Sequence, residues 1–144
     1  MMILTLGILL AFAECKEEQA KEEQETSIYG SWQLVESYGG GIDVNSGNGW
    51  RKVENGFTFE LNADNTFVSG EFRGCSTGRF RLSGNEITFI YDCGRRILSE
   101  EPAGVFSYKY VFLDESTLER TPITLVCYEG CASRFFKIDE LKDN

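Results

Sequence analysis

Short strands are the dominant signal in this 144-residue chain, because apolar and polar side chains alternate with a period of two from Ile28 onward. Turn sequences separate the alternating runs, for example NADN at residues 62–65 and SGN at residues 83–85. The pattern predicts eight strands, at residues 32–38, 57–61, 66–72, 79–82, 87–91, 106–112, 117–128 with a bend at Pro122, and 134–138.

Eight antiparallel strands with short connections are best protected when the sheet closes on itself, because closure removes exposed edges. We therefore predict an all-β fold, an eight-stranded up-and-down antiparallel barrel. The interior of such a barrel just holds side chains or one small ligand, and eleven Phe and six Tyr could supply its lining. An open curved sheet and a two-sheet sandwich use the same alternation and are the alternatives.

Composition limits the chemistry that the chain can perform. It contains no histidine, which excludes Ser-His-Asp and Cys-His catalysis as well as His-bound zinc. A formal charge of −9 argues against nucleic acid as a partner. No motif places two carboxylates for acid–base catalysis, so we expect a protein that is not an enzyme and that has no cofactor and no metal.

The first predicted strand opens with Gly30-Ser31-Trp32, and Arg134 lies near the start of the last one. These features resemble the Gly-x-Trp signature of lipocalins and lipocalin-like barrels. The resemblance covers residues 27–139 in layout and is closest to the lipocalin-like domains of Bacteroidetes lipoproteins. It implies that Trp32 closes one end of the barrel and that Arg134 lies across the indole, a contact worth about 0.5–2 kcal/mol.

An uncharged apolar run at residues 1–13 precedes a charged stretch that begins at Glu14. The run is shorter than the about 20 residues that span a bilayer, and it suits the apolar part of a signal peptide. The sequence AFAECKEEQ at residues 11–19 resembles the lipidation and acidic export signals of Bacteroidetes surface lipoproteins. The resemblance implies lipidation of Cys15 and an outer-membrane anchor at the cell surface, with a periplasmic or secreted protein as the alternative.

The chain therefore divides into three parts. Residues 1–14 are the expected signal peptide, and residues 27–144 are the expected lipocalin-like barrel domain. Between them, residues 15–26 hold the lipidated cysteine and a charged tether, whose positions 16–26 contain two Lys, five Glu and no large apolar side chain. Such a segment cannot bury enough surface to offset the entropy of ordering it, so we expect it to be flexible.

Four cysteines remain once Cys15 carries a lipid, and an even number in an exported chain predicts two disulfides. Cys127 and Cys131 flank a three-residue turn and can join the last hairpin. Cys75 and Cys93 follow strands whose ends point the same way, so their loops must lean together to reach the Cα separation of about 7 Å that a disulfide allows. Four thiolates on one metal ion are the alternative.

Two groups of side chains are candidates for binding. Glu36 and Tyr38 have the strand parity of Trp32, which predicts that they point into the barrel near its mouth, below the loop at residues 39–55. The candidate ligand-binding residues are Glu36, Tyr38, Tyr91, Tyr108 and Tyr110.

Five arginines fall between residues 73 and 96 of an otherwise acidic chain. They are either outward side chains paired with Glu71, Glu86 and Asp92, or a patch that recognises an anion. The members are Arg73, Arg79, Arg81, Arg95 and Arg96.

An apolar cup with a few polar groups at its rim is the usual composition of a ligand pocket. We therefore expect a surface or periplasmic lipoprotein whose partners are the membrane, through its lipid, and a small hydrophobic ligand. The alternative is a structural or interaction module whose barrel is filled by its own Phe and Tyr side chains. The sequence identifies no protein partner.

Overall fold

The computed structural model describes residues 27–39, 49–94, 96–98, 102–124 and 131–138. Within these ranges the chain forms nine β-strands and no helix, so no helix there could cross a membrane. The strands are β1 (Gly30–Gly39), β2 (Trp50–Lys52), β3 (Thr58–Leu61), β4 (Thr66–Ser69), β5 (Thr77–Ser83), β6 (Glu86–Tyr91), β7 (Val105–Phe112), β8 (Thr117–Pro122) and β9 (Cys131–Ile138). The predicted signal peptide and tether lie outside the described residues.

The strands form one antiparallel sheet, in which strands that follow each other from β3 to β9 are also neighbours. β1 pairs with β3 on one side and with β9 on the other, so the sheet closes into a barrel. β2 and β3 occupy one wall position, because β3 pairs with the first half of β1 and β2 with the second. The predicted eight-stranded up-and-down barrel is confirmed, and it excludes the sandwich and the open sheet.

A β-bulge interrupts β1 at Val35. Leu34 lies opposite Phe135 of β9, whereas Glu36 lies opposite Arg134, so two residues of β1 are used where β9 uses one. An inserted residue reverses the alternation of a strand. The side chains that follow the bulge therefore face the side opposite to the one that a regular strand would give.

The neighbouring wall is interrupted at the same level, between β2 and β3. The N–H of Val53 donates to the carbonyl of Val35 at 2.8 Å, and the N–H of Leu34 donates to the carbonyl of Phe57 at 2.9 Å. Gly56 lies against the carbonyl oxygen of Leu34, with which an added Cβ would collide. β2 itself lies within residues 39–55, which the sequence pattern predicts to be a loop, because three residues are too few to show alternation.

Aromatic rings from strands that lie two apart in the sheet meet inside the barrel. The rings of Phe59 and Phe135 are 4.9 Å apart with planes at 70°, and those of Phe67 and Phe89 are 4.9 Å apart at 82°. All four side chains are buried. Edge-to-face pairs of this kind contribute about 0.5–1.5 kcal/mol each beyond the area they bury.

Trp32 closes one end of the barrel, as the lipocalin resemblance implies. Its side chain is fully buried, its Nε1–H donates to the carbonyl of Ile28 at 2.8 Å, and its ring lies 6.1 Å from that of Phe112. Gly30 has a φ of +113°, a conformation that favours glycine, at the point where the chain turns into β1.

The cation that covers Trp32 is Lys137, and the prediction that Arg134 has this role is wrong. Lys137 lies directly opposite Trp32 in the β1–β9 pair, its Nζ is 5.3 Å from the ring centroid, and it donates to the carbonyl of Ser27 at 3.0 Å. Arg134 is an odd number of residues away from Lys137 on β9. It therefore points to the outer face.

A disulfide joins Cys75 and Cys93 at the end of the barrel opposite Trp32, with Cα atoms 5.4 Å apart. It links the β4–β5 loop to the β6–β7 loop, so the predicted approach of these loops is confirmed and these two thiols are not metal ligands. Cys131 is also disulfide-bonded. Its predicted partner, Cys127, lies outside the described residues, so that pairing stays a prediction.

We expect the double variant Cys75→Ala/Cys93→Ala to lose about 3 kcal/mol of unfolding free energy, because the disulfide closes a loop with a sequence separation of 18. Urea unfolding followed by tryptophan fluorescence measures this loss. Wild-type protein in the same non-reducing buffer is the control, since both proteins then keep the disulfide of Cys131. Equal unfolding midpoints would show that the link adds nothing to stability.

Candidate functional site

A buried cation lies inside the barrel. Arg120 on β8 has the parity of Leu118, a core residue, and is only 4% exposed. Its guanidinium carbon is 4.0 Å from the ring centroid of Tyr108 and 4.8 Å from that of Phe135. Cation–π contacts of this kind reach about 2 kcal/mol when the pair is removed from water, so the rings stabilise the charge that they enclose.

Glu71 neutralises this cation. It belongs to the β4–β5 loop at the end of the barrel opposite Trp32, and its side chain is 16% exposed. Its Oε1 accepts a hydrogen bond from Nη2 of Arg120 at 2.9 Å and a longer one from the hydroxyl of Tyr108 at 3.4 Å. Two donors inside the barrel therefore converge on one carboxylate oxygen, and that oxygen comes from a loop.

The tyrosines beside this pair, Tyr91 and Tyr108, are neutral. Burial raises the pKa of the Tyr108 hydroxyl, although the nearby Arg120 guanidinium lowers it. Burial also raises the pKa of Tyr91, and the negative charge of Glu71 adds to that effect. Both hydroxyls therefore keep their protons at neutral pH, and the negative charge of the cluster belongs to the carboxylate alone.

Of the three candidate tyrosines, the structure places Tyr91 and Tyr108 in the buried core and Tyr110 at the closed end. The ring of Tyr91 packs against Phe67 at 4.9 Å. The hydroxyl of Tyr110 donates to the carbonyl of Gly84 at 3.1 Å, in the β5–β6 turn on the Trp32 side. Tyr110 is therefore not brought together with the arginine cluster.

The prediction that Glu36 and Tyr38 point into the barrel is wrong. The bulge at Val35 reverses their parity, so both lie on the outer face. Oε2 of Glu36 accepts a hydrogen bond from Nη1 of Arg134 at 3.1 Å, and the ring of Tyr38 lies 5.5 Å from that of Trp50.

Arg134 is the centre of this outer cluster. Its guanidinium carbon lies 3.8 Å from the centroid of the Trp50 ring, and its Nε donates to Oε2 of Glu119 at 3.0 Å. The contacts connect β8, β9, β1 and the short β2. The ion pairs are partly exposed, so each contributes only about 0–1 kcal/mol. The stacking of Arg134 on Trp50 fixes β2 to the wall, and the cluster therefore has a structural role.

The four arginines of the predicted anion patch that the structure describes lie on the outside of the protein. Arg79 and Arg81 alternate with buried Gly78 and Phe80 along β5. Arg73 and Arg96 are exposed near the Cys75–Cys93 end, and Arg95 lies outside the described residues. Glu71, one of their expected partners, instead enters the barrel and pairs with Arg120.

Arg120 and Glu71 are not among the site residues predicted from the sequence. A signal for Arg120 was present, because Leu118 and Arg120 alternate with Glu119 and Thr121, which places a basic side chain on the inward face. Glu71 had a similar signal, because it shares the parity of buried Phe67 and Ser69 in the strand predicted at residues 66–72. The strand ends at Ser69, and Glu71 continues its inward direction from the loop that follows. The described part of the chain contains no group of three or more acidic or cysteine side chains placed to hold a metal ion.

Two crystal structures share this architecture. A lipocalin-like protein from Bacteroides uniformis has a TM-score of 0.50 and 21% identity, covering 76% of this chain and 97% of its own. An uncharacterized protein from Bacteroides eggerthii has a TM-score of 0.51 and 18% identity, covering 78% of this chain and 100% of its own. No protein-family model and no curated protein sequence matches this chain. At these identities the likeness concerns the fold, and the fold of this protein is lipocalin-like.

Proposed function

We propose that this protein is a lipid-anchored, non-enzymatic barrel of the outer membrane that binds a small hydrophobic ligand in its interior. The observation that carries the proposal is the convergence of Arg120, Tyr108 and Glu71 within a lining of aromatic rings. Ligand pockets typically combine an apolar lining with a few convergent polar groups that orient the ligand.

Stability alone gives no reason to keep this ion pair. Replacing a buried ion pair by apolar side chains of similar volume is often neutral, or stabilising by about 1–4 kcal/mol. The barrel already has an apolar lining into which such side chains would fit. A charged pair in this place is therefore better explained by recognition than by packing.

The geometry also supports an approach route for the ligand. Trp32 and Lys137 close one end of the barrel, whereas Glu71 lies in a loop at the other end. The chain enters the barrel at Ser27, beside Lys137. A tether that runs from a lipid on Cys15 to Ser27 would therefore hold the closed end nearest the membrane, and the opposite end would face away from it.

The membrane anchor rests on the sequence at the N-terminus. The apolar run before Cys15 and the acidic residues after it support export and lipidation at the outer-membrane surface. The absence of histidine and of any catalytic motif in the sequence supports a role in binding.

A second candidate function is an interaction module with a filled barrel. The ring contacts across the interior favour it, and so does an outer groove of about 230 Å³ that includes Val68 and Ile138. Both side chains are exposed large hydrophobics, as is Phe136 on the same strand as Ile138. An apolar outer face of this kind suits a protein partner.

A neutral fluorescent probe, N-phenylnaphthylamine, separates the two candidates. We expect saturable binding of about one equivalent if the proposed function is right, because the barrel has one apolar interior. The variant Ser69→Met adds volume at a buried, inward position and should weaken binding about tenfold, whereas Val68→Met on the outer face is the matched control.

Fluorescence titration measures both variants, and native mass spectrometry of gently extracted protein looks for a co-purified ligand. Weakened binding in Val68→Met alone would place the probe in the outer groove. Absence of saturable binding would favour the filled barrel.

The variant Cys15→Ser tests the anchor. Without the thiol that carries the lipid, we expect the protein to move from the membrane fraction to the soluble fraction and to lose incorporation of radiolabelled palmitate. Expression of the full chain in a Bacteroides host, followed by fractionation and immunoblotting, measures the change. Unlabelled wild-type protein in the soluble fraction would contradict lipidation.

A further inference from the structure

We propose that the ligand is an amphiphile with a single carboxylate head group, which replaces Glu71 on Arg120 and Tyr108. This inference rests on the proposed function and names the chemical class of the ligand. The carboxylate of Glu71 already shows which acceptor suits the two donors. Its Oε1 accepts hydrogen bonds from Nη2 of Arg120 at 2.9 Å and from the hydroxyl of Tyr108 at 3.4 Å.

The two partners of the ion pair are held differently. Arg120 is fixed on β8, and its guanidinium is enclosed by the rings of Tyr108 and Phe135. Glu71 comes from a loop, where its backbone N–H donates to Oγ of Ser69 at 3.1 Å. The exposed fraction is 16% for Glu71 against 4% for Arg120. The carboxylate is therefore the partner on the solvent side, and it can withdraw while the cation stays in place.

Exchange of one carboxylate for another keeps Arg120 neutralised at every stage. A neutral ligand that displaced Glu71 would leave a buried guanidinium without a counter-charge, which proteins avoid. A phosphate monoester would add a second negative charge that the cluster does not balance. The charge balance therefore favours a head group with one negative charge, and among such groups a carboxylate matches the one that Glu71 already places there, with its oxygen at the position of Oε1.

The apolar part of the ligand has a matching surface. Phe72, next to Glu71 in the same loop, stacks on Phe106 with ring centroids 4.8 Å apart, and the ring of Tyr91 lies 5.8 Å from Phe106. These rings lie at the Glu71 end of the barrel. A tail attached to a carboxylate on Arg120 would pack against them while the head group faces inward.

The test compares decanoate with decanol, two probes with the same tail and different head groups, by displacement of N-phenylnaphthylamine from the full-length protein. In the wild type, decanoate should displace the dye at a concentration at least about tenfold below that of decanol, because it forms hydrogen bonds to charged and neutral donors. The double variant Arg120→Met/Glu71→Gln, with an apolar side chain of similar length and no charge, should abolish this preference.

The single variant Glu71→Gln gives the sharper result. It removes the competing carboxylate and leaves the cation, so decanoate should bind about tenfold more tightly than it binds the wild type and should raise the melting temperature by more. A merely structural ion pair would not produce tighter binding. Glu119→Gln is the matched control, because it removes a carboxylate from Arg134 on the outer face, and it should leave the decanoate-to-decanol ratio unchanged.

The outcomes separate the two levels of the proposal. If the dye does not bind the wild type, the proposed ligand-binding function fails. If the dye binds but decanoate and decanol displace it equally, the function stands and the carboxylate assignment is wrong. Equal or weaker decanoate binding in Glu71→Gln overturns the exchange, and if that variant does not fold, the ratio in the double variant decides.

Discussion

β1 determines which side chains enter this barrel, because it is the strand on which the sheet closes. It pairs with β9 along one edge and with β3 and then β2 along the other. The bulge at Val35 reverses its parity halfway, so its first half contributes the buried Trp32 and its second half contributes Glu36 to the outer cluster. Without the bulge, this carboxylate would point inward, where an unpaired charge costs several kcal/mol.

The charged side chains inside the barrel come instead from β8, on the opposite wall from β4, and from the loop that follows β4. Arg120 lies on β8 and Glu71 follows β4, so the pair spans the inside of the barrel between elements that are distant in sequence. The surrounding Phe and Tyr rings would stabilise an apolar core without it. A charged pair in an apolar core is a local conflict, and proteins keep such conflicts mainly where they serve a function. This pair, and not the more conspicuous arginines on the outer face, is therefore the centre of the proposed site.

The features that follow from local pattern could be predicted from the sequence. Period-two alternation and short turns gave the strands and their order, and the order brought the loops of Cys75 and Cys93 to the same end. The Gly30-Ser31-Trp32 motif located the closed end. Each of these depends on neighbouring residues alone.

The predictions that were wrong concern features that depend on pairing between distant strands. Lys137 covers Trp32 in place of Arg134 because of the β1–β9 register, which no local pattern contains. Glu36 and Tyr38 face outward because of one inserted residue. Arg120 and Glu71 each had the parity of an inward position, but their pairing joins β8 to the loop after β4, and no local pattern shows that these two elements face each other across the barrel.

The exchange of Glu71 for a ligand carboxylate is tested by a crystal structure of the protein with a bromine-labelled fatty acid, because bromine is located by its anomalous scattering. We expect the bromine at the end of the barrel that carries the disulfide, a ligand carboxylate on Nη2 of Arg120, and the side chain of Glu71 turned out to solvent. Bromine outside the barrel, with Glu71 still on Arg120, would contradict it.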